Sequence, residues 1–65
     1  MTTTKAAEKF LDEALKSVES ASIRAWATSE HNRPIWVKYA ASVLAKNPSS
    51  EPIRFAAYLV LTAMG

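Results

Sequence analysis

Apolar positions are densest between Ile53 and Met64. On a helical projection Ile53, Phe55, Ala56, Ala57, Leu59, Val60 and Met64 cover most of the circumference. Glu51, Arg54, Tyr58 and Thr62 form only a narrow polar stripe. A helix this apolar must be covered, either by the chain's own core or across an interface with a second copy or a partner. The rest of the chain is therefore expected to be organised around it.

Upstream, Ala7, Leu11, Ala14, Val18, Ala21 and Ala25 recur at alternating spacings of four and three, and Phe10, Leu15 and Trp26 widen the stripe. This predicts one amphipathic helix over about 4–29, with Thr3 or Thr4 as its cap. Ser20, Ala21 and Ser22 offer a break at which Ser20 could cap a new helix, but the apolar register continues through them, which favours a single element. Lys9 with Glu13 and Asp12 with Lys16 are spaced as ion pairs on the solvated face.

Thr28 to Arg33 interrupts the pattern, and Pro34 suits the first turn of a second helix, predicted over 34–46. Trp36, Tyr39, Ala40, Val43 and Leu44 share one of its faces, flanked by Ile35 and Val37. Asn47-Pro48 stops it. Ser49 or Ser50 is placed to cap a third helix over 51–64, with Glu51 at the positive end of its dipole and Pro52 in its first turn. The predicted fold is all-α: one domain over 1–65, a small three-helix bundle that a two-fold axis could complete as a homodimeric helical bundle.

Size sharpens that expectation. A 65-residue chain buries only about 60% of the surface it exposes when unfolded. With no cysteine and a single histidine, disulfides and metal offer little added support, which leaves self-association. Hydrophobic residues at 49% against 22% charged residues suit a folded globule. The net charge of +2 is uneven, with three Lys against four acids in 1–22 and five Lys or Arg against two acids in 23–65. That is a mild basic bias, short of a nucleic-acid binder's dense stripe. The start of the chain lacks the basic-then-apolar order of a signal peptide, and the last helix is too short to cross a bilayer. A cytoplasmic protein is expected.

Candidate chemistry is sparse. His31, beside Glu30, is the sole histidine and reads as a solvated loop residue. There is no glycine-rich phosphate loop and no nucleophile elbow, and one histidine cannot build a transition-metal site unaided. Neither catalysis nor a cofactor is expected. Arg24, Trp26, His31, Arg33, Trp36, Lys38 and Tyr39 interleave cations with aromatics, as groups that hold phosphates and stack on bases do. Helical periodicity accounts for the same aromatics as core anchors. The last helix is too poor in polar and basic side chains to read base edges, so nucleic acid would have to bind through Arg33 to Lys38. Insertion of Phe55, Tyr58, Leu59 and Leu61 into a membrane surface lacks the flanking cations it needs. The best-supported expectation is a non-enzymatic protein partner, with homodimerisation through the last helix. Its candidate contacts are Trp26, Arg33, Trp36, Arg54, Tyr58 and Leu61, several of them types enriched at binding hot spots.

Overall fold

The computed structural model describes residues 4–65. Four helices and no strand are found among them: α1 (Thr4–Lys16), α2 (Ala21–Thr28), α3 (Arg33–Lys46) and α4 (Pro52–Met64). Thr3, one of the two offered caps, lies outside the described residues.

The single first helix expected over 4–29 is two helices. At 1.5 Å per residue such a helix would be about 39 Å long, yet the longest dimension of the fold is 32 Å. The last turn of α1 tightens through bonds from the Ser17 and Val18 amides to the carbonyls of Ala14 and Leu15. Ser20 then takes an extended conformation and accepts from the Ile23 amide through Oγ at 3.3 Å, starting α2. Arg24 reaches back across the corner, its guanidinium donating to the carbonyls of Val18 and Glu19. Carbonyls that a continuous helix would have satisfied are thereby satisfied by a side chain. The break also rotates the register. Ala21 and Ala25 are exposed, while Ala27 is buried and Ile23 and Trp26 are half-buried.

The second corner is similarly built. The Asn32 amide donates to Ser29 Oγ, and Asn32 Nδ2 donates to the Trp26 carbonyl at the end of α2. Pro34 sits in the first turn of α3. At the third corner Asn47 Oδ1 accepts from both the amide and the hydroxyl of Ser49. Glu51 occupies the cap position of α4 without a side-chain bond, and Pro52 opens the helix. The expected Ser49 or Ser50 cap is not formed, because Ser49 is held by Asn47 and α4 begins later than a serine cap requires. The ion pairs also differ from the expected ones: Glu13 pairs with Lys16 at 3.2 Å, and Asp12 pairs with Arg33 on α3 at 3.1 Å.

Helix α1, not the more apolar α4, lies at the centre. It packs most extensively against both α3 and α4, while α2 closes over the latter two. Ala7, Phe10, Leu11, Ala14 and Leu15 are buried on α1, and Val18 plugs the corner after it. Trp36 and Ala40 face them from α3, and Phe55, Ala56 and Leu59 from α4. No buried polar side chain is found among the described residues.

Leu11 is 0% exposed between the packed helices. Truncating such a residue costs about 2–5 kcal/mol, against a total stability of about 0.05–0.15 kcal/mol per residue. For 65 residues that total is about 3–10 kcal/mol, so Leu11→Ala is expected to lose a large share of the stability. Ile53→Ala, on the outside of α4, should shift stability by no more than about 0.5 kcal/mol under dilute conditions. Urea unfolding followed by circular dichroism checks both, and equal losses would contradict this assignment of the core.

Candidate functional site

All six aromatic side chains join one network centred on Trp36. Its ring lies 5.6 Å from Trp26, 5.9 Å from Tyr39, 5.9 Å from Phe55 and 6.1 Å from Tyr58 between centroids. Phe10 meets Phe55 edge-on at 5.2 Å, tying the network into α1. These separations fall in the range where ring pairs attract beyond simple burial. Trp36 is buried and Trp26 is half-buried against it. Two of the six candidate contact residues are thus mainly structural anchors.

Toward solvent the network ends in the stacked rings of Tyr39 and Tyr58, 5.4 Å apart, whose hydroxyls are hydrogen-bonded at 3.1 Å. That bond, and the charge that deprotonation would place beside Tyr58, raise the Tyr39 phenol above its usual value, with slight burial adding to the effect. Tyr58, Arg54, Glu51 and Ser50 line a cleft of about 220 Å³ floored by Phe10, Val43 and Phe55.

The cations of the basic and aromatic stretch are largely committed. Arg24 holds the corner after α1, and Arg33 is paired with Asp12. Lys38 and His31 remain exposed. Arg33 and Lys38, with Glu8 on α1 and Glu30 before α3, border a groove of about 650 Å³ whose apolar wall is Pro34, Val37 and Ala41. Arg33 is therefore on a different surface from Arg54 and Tyr58. Among the described residues no three His, Asp or Glu side chains converge as metal ligands would, and no helix is long and apolar enough to cross a membrane.

The remaining candidate, Leu61, is 70% exposed. It belongs to a stripe that the candidate set only sampled. Ile53, Ala57, Leu61 and Met64, spaced four, four and three apart, lie on one face of α4 roughly opposite Phe55, Ala56 and Leu59. Ile53 is 61% and Met64 78% exposed. The helical spacing of these residues was the signal that would have added Ile53 and Met64. Of the four residues considered for membrane insertion, Phe55 and Leu59 are turned into the core.

Removing the partner hydroxyl by Tyr58→Phe should lower the Tyr39 titration toward 10, as read by tyrosinate absorbance. The sign for stability follows: a phenol raised in the folded state contributes fully below pH 10 and loses its contribution as pH rises through the folded value. Wild type should thus lose stability more steeply than Tyr58→Phe in the alkaline range. A Tyr39 midpoint that is the same in wild type and in Tyr58→Phe would contradict the hydroxyl pairing.

No family model matches the chain, and comparison with curated proteins and with solved structures gives no significant match.

Proposed function

We propose that the chain is a non-enzymatic protein-interaction module that self-associates through the outer face of α4 and acts as a small accessory, inhibitory or regulatory protein on a larger partner in the cytoplasm. The observation carrying this reading is the stripe of Ile53, Leu61 and Met64, a continuous exposed apolar face on a helix whose opposite side already serves the core. Soluble proteins that leave such a face in water generally use it as an interface. Roughly 17 Å of helix separates Ile53 from Met64, long enough to receive a second helix. Tyr58 and Arg54 flank the stripe and supply residue types that anchor interfaces.

The nucleic-acid reading of Arg24 to Tyr39 takes second place. Arg24 and Arg33 are engaged within the fold, and the two tryptophans meet edge-to-face, with Trp36 buried and Trp26 half-buried against it. Phosphate binding would require cations that are not already bonded.

Two substitutions about half a turn apart on α4 test the proposal. Leu61→Glu should keep the helical circular dichroism of wild type and elute as a monomer on analytical gel filtration at concentrations where wild type associates. Leu59→Glu, which places a charge at a position 0% exposed, should lose the fold, because an unpaired buried charge costs several kcal/mol. Unchanged association of a folded Leu61→Glu variant would overturn the role given to α4.

A further inference from the structure

Building on self-association through α4, we infer that the contact is head-to-tail: the outer stripe of α4 on one copy seats in the groove between α1 and α3 on the next. Stripe and groove belong to different surfaces. The stripe faces away from the side of α4 that packs on Phe10 of α1, and no α4 residue lines the groove.

Shape favours this pairing over two α4 helices meeting across a two-fold axis. A specific interface buries about 800 Å² per partner, roughly a sixth of the 4577 Å² that this chain exposes. Two convex helices touching along one stripe leave their flanks in water. The same stripe in a concave groove is covered from both walls, with Pro34, Val37 and Ala41 on α3 presenting apolar surface to it.

Charge points the same way. Arg54 is the single charged side chain of α4 and lies two turns before Leu61 on the same side of the helix. It forms no ion pair among the described residues, nor do Glu8 and Glu30 on the groove's border. Glu51, just ahead of α4, and Lys38, on the groove's border, are likewise outside the ion pairs formed within the fold. The stripe therefore brings a cation and an anion to a groove edged by the exposed Glu8, Glu30 and Lys38, the fourth charge on its border, Arg33, being half-buried and already paired with Asp12. Each copy carries one stripe and one groove on separate faces. The contact is thus heterologous, and it adds copies until a ring closes or a chain grows.

A charge swap tests this in full-length protein. Arg54→Glu and the double variant Glu8→Arg/Glu30→Arg change only exposed side chains and should fold as wild type by circular dichroism. Each alone is expected to associate several-fold more weakly than wild type when compared at low salt over concentrations where wild type forms species larger than a dimer. Their equimolar mixture should recover those species, since each stripe then meets a groove of opposite sign. Association of Glu8→Arg/Glu30→Arg alone at the wild-type level, or wild type that stops at a dimer, would overturn the head-to-tail contact while leaving self-association through α4 standing. Wild type that stays monomeric throughout would remove both.

Discussion

Everything else in the fold depends on the burial of one face of α1 between α3 and α4. Leu11, Ala7 and Ala14 are fully enclosed there, and the small side chains allow the two flanking helices to approach closely enough for their aromatic rings to meet. Phe10 joins Phe55, Phe55 joins Trp36, and Trp36 reaches both Trp26 and the tyrosine pair. A domain of this length has little apolar surface to bury. Concentrating it on one central helix and one ring cluster yields a dry core in which no polar side chain is buried among the described residues. Polar groups instead hold the corners, with Ser20 and Arg24 at the first, Ser29 and Asn32 at the second, and Asn47 at the third.

Much of this arrangement could be read from residue spacing. Pro34, Pro48 and Pro52 punctuate the chain where α3 begins and ends and where α4 begins, and Trp36, Ala40, Phe55 and Leu59 follow the periodicity of their helices. The corner at Ser17 to Ser20 could not be read with the same assurance, because it contains neither glycine nor proline. What breaks the helix is a hydroxyl cap together with a guanidinium arriving from five and six residues downstream, and a local pattern does not reveal where a long side chain will reach. The Asp12 to Arg33 pair is hidden for a stronger reason: its partners are brought together only once α1 and α3 have packed.

The nearly uniform apolarity of α4 was plain from the outset, but which half of it would be buried was not. Because α1 takes the central position, α4 has one neighbour-rich side and one bare side, and Ile53, Leu61 and Met64 fall on the bare one. The same packing resolves the candidate contacts into anchors and surface. Trp26 and Trp36 organise the core, Arg33 braces α3 to α1, and Arg54, Tyr58 and Leu61 remain available on or beside α4. Surplus apolar surface on the last helix thus stands as the physical basis for the proposed function.

Sedimentation velocity of the wild-type protein over a broad concentration series tests that basis most directly. The account predicts a sedimentation coefficient that climbs with concentration as the outer face of α4 becomes covered, and a climb that persists in high salt because the contact is mainly apolar. A coefficient that stays at the monomer value across the series would contradict it.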